Sequence, residues 1–121
     1  MREPTADQRP MWFFTTQGFY SVVAHRRDPD KLIVRARARE DMEALREQID
    51  NLRVFADTKA DYRWRAVVTR AEWVKAVALL AAHIDYDNFK SAVGERQGSE
   101  RARVYHHVWG ELLSLQRDDE S

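Results

Sequence analysis

The stretch Phe19-Tyr-Ser-Val-Val-Ala-His-Arg-Arg-Asp-Pro-Asp-Lys-Leu-Ile-Val-Arg-Ala-Arg-Ala-Arg39 decides the fold class. Phe19 to Arg27 is an extended run rich in β-branched and aromatic residues. Asp28-Pro29-Asp30-Lys31 is a type I turn, with Asp at the first position and Pro fixing φ at the second. Leu32 to Arg39 returns as a strand, so residues 19–39 form a β-hairpin. Within it, Val34 to Arg39 alternates strictly. A period of two places Val34, Ala36 and Ala38 on one face and Arg35, Arg37 and Arg39 on the other. The alanine face is low, and a helix can pack closely upon it.

Upstream, Met11-Trp-Phe-Phe-Thr-Thr is a further strand and Gly18 permits a bend, bulge or turn. Residues 1–10 carry charges and prolines without periodicity and read as a disordered extension. Downstream, Met42, Leu45, Ile49 and Leu52 mark one apolar stripe of a helix over 40–52, with Glu40, Asp41 and Glu43 at its positive end. Residues 53–56 are a short strand and 57–61 a polar loop. Residues 62–69 are a strand with Tyr62, Trp64, Ala66 and Val68 on one face and Arg63, Arg65, Val67 and Thr69 on the other. Thr69 and Glu72 form a capping box for a helix over 70–85, striped by Trp73, Val74, Val77, Leu80, Ala81 and Ile84. A short helix follows over 87–96. Ser99 caps a last helix over 100–116, striped by Val104, Val108, Leu112 and Leu115, with Trp109 beside it. The order β-β-β-α-β-β-α-α-α predicts an α+β fold. It is an antiparallel sheet with helices on one face, loosely ferredoxin-like or a permutation of that, with extra C-terminal helices. One domain over 11–117 and an acidic tail over 118–121 complete the expected organisation.

Composition narrows the function. The chain has 121 residues, 20 basic and 20 acidic, and no cysteine. Disulfide scaffolds, zinc ribbons and cysteine nucleophiles are excluded. The longest apolar run, Ala76 to Ala82, is far short of the ~20 residues a membrane span needs, and the N-terminus lacks a secretory apolar core. The expected location is the cytoplasm, with no membrane partner. Basic residues are sixteen Arg and four Lys, which fits either a GC-rich genome or selection of the guanidinium fork for anions.

Zero net charge conceals a polarised chain. Residues 11–39 hold six basic and two acidic side chains, whereas residues 40–50 hold one basic and five acidic. Arg35, Arg37, Arg39, Arg63 and Arg65 on sheet faces, with Tyr20 or Tyr62 to stack, form a candidate site for nucleic acid, a nucleotide or another anion. The plain alternative is a polar sheet face neutralised by the acidic helix. Other motifs are weaker. Asp28 with Asp30, and Asp85 with Asp87, pair carboxylates in the manner of a hard-cation site for a hydrolase or nuclease, but Asp is also a common turn residue. His25 reads as a half-exposed strand residue and His83 as a helix-end residue. The adjacent His106 and His107 cannot share a metal facially, and His107 with Glu111 lacks a third ligand. Tyr86 and Lys90 have a dehydrogenase-like spacing without the glycine-rich loop that would give it meaning. The reading leans away from an enzyme and requires no cofactor. Trp12, Trp64, Trp73 and Trp109 exceed ordinary usage, so a half-exposed one at a protein partner or homodimer surface is the alternative function.

The residues Met11-Trp-Phe-Phe-Thr-Thr-Gln-Gly-Phe-Tyr-Ser-Val-Val, His25 to Arg37, Asp61 to Val68, Ile84 to Lys90 and Val104 to Trp109 also carry a resemblance. Over residues 11–116 the chain resembles a family of small proteins of high-GC Gram-positive bacteria and their phages. The resemblance implies no activity, cofactor or catalytic residue. Family members begin at the methionine matching Met11, in line with an N-terminal extension over 1–10. A phage association implies a small modulator of host or phage nucleic-acid processes.

Overall fold

A computed structural model describes residues 10–116. The extension expected over 1–10, save Pro10, and the acidic tail lie outside the described residues. Strands β1 (Met11–Phe14), β2 (Phe19–Ala24) and β3 (Lys31–Ala36) run as an antiparallel meander. They are followed by helix α1 (Arg39–Leu45), strands β4 (Val54–Ala56) and β5 (Trp64–Thr69), and helices α2 (Arg70–Ala82), α3 (Phe89–Gln97) and α4 (Ser99–Leu113). The five strands form one antiparallel sheet in the order β1-β2-β3-β5-β4. The fold is α+β. The chain forms two compact units divided between Ile84 and Asp85.

In the first unit the alternation in β3 does what its sequence predicts. Val34 and Ala36 are fully buried, and Val34 lies opposite Ala66 of β5. Met42, Leu45, Ile49 and Leu52 join them with Trp73 and Ala76 in one core. Burying each large aliphatic side chain contributes about 1.5–3 kcal/mol. The stripe expected over 40–52 is therefore buried as read, but the regular helix stops at Leu45. Glu47 and Gln48 donate to Ala44 and Leu45, three residues back, so the chain tightens into turns. These end at Asn51 with φ 59°.

Two further expectations shift. Strand β3 ends at Ala36, and Ala38 is the extended N-cap residue of α1, so Arg39 sits on a helix and not on the strand. Helix α2 starts at the Thr69–Glu72 capping box as predicted, but its buried stripe is Trp73 and Ala76, while Val74 and Ile84 are exposed.

The β2–β3 turn closes with the Lys31 N–H donating to the Asp28 carbonyl, and Asp28 Oδ1 accepts from the Asp30 N–H. The β1–β2 turn is organised by Thr15, whose Oγ1 accepts from the N–H groups of Gln17 and Gly18 and donates to the Gly18 carbonyl. Gly18 is required for space. A Cβ there would lie 2.8 Å from Asp41 Cβ, Asp41 Cγ and the Tyr20 hydroxyl.

In the second unit Asn88 caps α3, its side chain accepting from the Ser91 N–H. Gly98, with φ 99°, takes the N-cap position of α4, so Ser99 is the first helical residue and not the cap. Tyr105 is the buried residue of α4, its ring parallel to Phe89 at 5.8 Å. The stripe expected there is exposed at Val104, Leu112 and Leu115. Among the described residues no helix is long and apolar enough to cross a membrane.

Candidate anion-binding sheet face

Both helices of the first unit pack on the face formed by Val34, Ala36, Ala66 and Val68. On the opposite face the strand registers align one transverse row. Trp12 lies opposite Ser21, Ser21 opposite Arg35, Arg35 opposite Arg65, and Arg65 opposite Phe55. Four interstrand steps make this row about 19 Å long. Its aromatic ends are exposed, Trp12 at 59% and Phe55 at 48%. Its middle holds two arginines that are direct cross-strand partners.

The row is pinned by short-range chemistry. Arg35 Nη2 donates to Ser21 Oγ at 2.8 Å. Arg65 Nε donates to the Tyr62 carbonyl at 3.2 Å, and Arg37 Nη1 to the Asp61 carbonyl at 3.0 Å. The guanidinium carbons of Arg35 and Arg37 lie 4.7 and 4.3 Å from the centre of the Tyr62 ring. Carbonyl oxygens orient Arg37 and Arg65 without cancelling their charge. Two of the first-helix carboxylates have other roles. Glu43 pairs with Arg46 at 3.1 Å and Arg39 at 3.8 Å, and Asp41 is buried with its Oδ2 accepting from the Phe19 N–H.

Of the seven residues singled out in the sequence, Arg35, Arg37, Arg65 and Tyr62 come together. Arg63 is exposed just before β5. Arg39 does not join them. It lies on α1, 5.7 Å from the ring of Trp64, a core-face residue. Tyr20 is a correction. It is 1% exposed, its hydroxyl donates to the Asp41 carbonyl at 2.6 Å, and its ring meets Trp73, so it holds α1 to the sheet and cannot stack on a ligand. Tyr62 is also buried, and it acts as the platform that orders two arginines.

No family model, curated protein or solved structure matches this chain.

The site also contains residues that the sequence pattern alone did not single out. Trp12 and Phe55 occupy its ends. Alternation supplied the signal, since Phe13 and Val54 pack on the core and their neighbours must face the other way. Beside Trp12, the rings of Phe14 and Phe19 stack at 4.6 Å, and Phe19 lies 6.4 Å from Tyr62. A concavity of about 550 Å³ is lined by Ile33, Arg35 and Arg65 together with His25, Arg26 and Arg27 from the β2–β3 loop. His25 Nδ1 accepts from the N–H groups of Arg27 and Asp28, both at 3.1 Å, which shapes this loop. Elsewhere, Asp28 serves its own turn and Lys31, and Lys90 Nζ donates to His106 Nδ1 over the Trp109 ring. Among the described residues no three His, Asp or Glu side chains are grouped to hold a metal ion.

Proposed function

We propose that the protein is a non-enzymatic module that binds single-stranded nucleic acid across the sheet face opposite its helices. The observation carrying this reading is the row Trp12–Ser21–Arg35–Arg65–Phe55. Single strands are held by guanidinium groups on phosphates and by aromatic rings on which bases stack. Here those groups alternate in space as ring, two cations, ring. The Arg26–Arg27 loop extends the positive surface to one side. Arg37 and Arg65, free of carboxylate partners among the described residues, support phosphate contact over mutual neutralisation. A role as a modulator of host or phage nucleic-acid processes agrees with the resemblance of the chain.

The test is titration of a fluorescent oligothymidylate or oligouridylate, followed by anisotropy at several salt concentrations. Arg35, Arg37 and Arg65 neutralising three phosphates give a log–log salt slope of about −2. Trp12→Ala and Phe55→Ala each weaken binding by about 5- to 150-fold, the loss of one stacked base. Absence of binding at low salt, or affinity indifferent to salt and to both substitutions, refutes the reading.

A second reading, self-association, draws on a different observation. Val104, Trp109, Leu112 and Leu115 of the C-terminal region are each about half or more exposed, and exposed apolar residues of this kind can mark a protein contact. Light scattering across a concentration series is expected to show a dimer that Leu112→Glu returns to monomer. A mass that stays monomeric at every concentration removes this reading.

A further inference from the structure

We propose that the first unit holds a second, independent ligand site, a cavity between β1–β3 and α2 that takes an amphipathic monocarboxylate. The cavity has a volume of about 640 Å³, within the range of small-molecule sites. Its walls are Phe13 on β1, Val22 on β2, Leu32 on β3, and Trp73 and Val77 on α2. It lies on the core side of the sheet and shares only Val23 and Ala24 of β2 with the concavity beside the arginine row. Exposed Met11 and Val74 form part of its lining. The space opens to solvent beside Met11 and Val74, so a ligand can enter it directly.

Its single charged lining residue gives the ligand a polarity. Arg70 starts α2, and its Nε donates to the Pro29 carbonyl at 2.6 Å. Its backbone N–H donates to the Asp30 carbonyl at 2.8 Å. The guanidinium is thus clamped by the β2–β3 turn, and its two Nη groups have no partner among the described residues. An end-on pair of N–H donors matches the two oxygens of a carboxylate. With no carboxylate in the lining and no second cation, the complementary ligand is an apolar body ending in one negative charge.

Decanoate, decanol and decyltrimethylammonium serve as probes, titrated below their micellar concentrations by calorimetry and by chemical-shift changes at the Trp73 indole. Decanoate is expected to bind one per chain, more tightly than decanol, with the cation weakest. Arg70→Gln is expected to weaken decanoate by about tenfold or more and leave decanol unchanged. It also leaves oligonucleotide affinity unchanged, which separates this site from the sheet face. Val77→Trp fills the cavity and abolishes both decanoate and decanol. Should that variant lose its folded near-ultraviolet spectrum, Val74→Glu at the exposed lining provides the same blockade by charge. The proposal is overturned if decanoate fails to bind, if decanol binds as well as decanoate and Arg70→Gln changes nothing, or if decanoate still binds with the cavity blocked.

Discussion

Gly18→Ala is expected to destabilise the first unit by about 3 kcal/mol or more, lowering its melting temperature by at least about 12 °C. The added Cβ would stand 2.8 Å from three atoms, Asp41 Cβ, Asp41 Cγ and the Tyr20 hydroxyl. None of these is the loose end of a side chain. Asp41 is 2% exposed and its carboxylate accepts from the Phe19 N–H at 3.0 Å. Tyr20 is 1% exposed and its hydroxyl is bonded to the Asp41 carbonyl. Overpacking ordinarily costs about 1–3 kcal/mol. Separating a buried carboxylate from its N–H donor adds about 1.5–3 kcal/mol. The joint itself fastens the β1–β2 turn to α1. Gly110→Ala is the contrast, since nothing lies within 4 Å of a Cβ there, and alanine in a helix gains up to about 1 kcal/mol over glycine. Denaturant unfolding of both variants checks the pair. A Gly18→Ala protein within about 0.5 kcal/mol of the parent, the spread of ordinary surface changes, would show that the joint yields freely.

Gly18 also shows where sequence reading stops. A glycine between two strands announces a turn, and a turn is there. Its steric purpose depends on Asp41, 23 positions later, and no local pattern reveals such an approach. The elements were legible because each had a local cause. Alternation in residues 34–36 gave the β3 faces, the Asp28-Pro29 pair gave its turn, and Thr69 with Glu72 gave the start of α2. The failures share a cause as well. Tyr20 looked like a stacking ring for a basic sheet face, yet pairing with Phe13 puts it on the core face. Arg39 continued an alternation that the helix interrupted at Ala38. In α4 the apolar spacing chose Val104 and Leu112, whereas the α3 partner selected Tyr105 through Phe89. The transverse row needed register, which hydrophobic patterning constrains only to one face and never to a particular partner.

Arg65→Glu is expected to weaken oligonucleotide binding by about 100-fold while leaving the fold as stable as before or up to about 1 kcal/mol more so. The two effects have opposite signs for one reason. Arg35 and Arg65 are direct cross-strand partners, and like charges in that relation repel. Replacing one by a carboxylate turns a repulsive pair into an attractive pair, offset in part by loss of the Arg65 Nε bond to the Tyr62 carbonyl. A bound phosphate would likewise offset this like-charge pair by contacting both arginines. Introducing Glu therefore removes a cation from the phosphate path and puts an anion in its place. The salt slope should also flatten, by about 0.7 for each phosphate that is no longer neutralised. Arg39→Glu, on the helix and beside Trp64, serves as a control for net charge and is expected to shift affinity only slightly. If Arg65→Glu and Arg39→Glu weaken binding equally, the nucleic acid senses only overall charge and the row is not its site. If Arg65→Glu instead costs several kcal/mol of stability with affinity intact, the paired arginines belong to the architecture of the sheet.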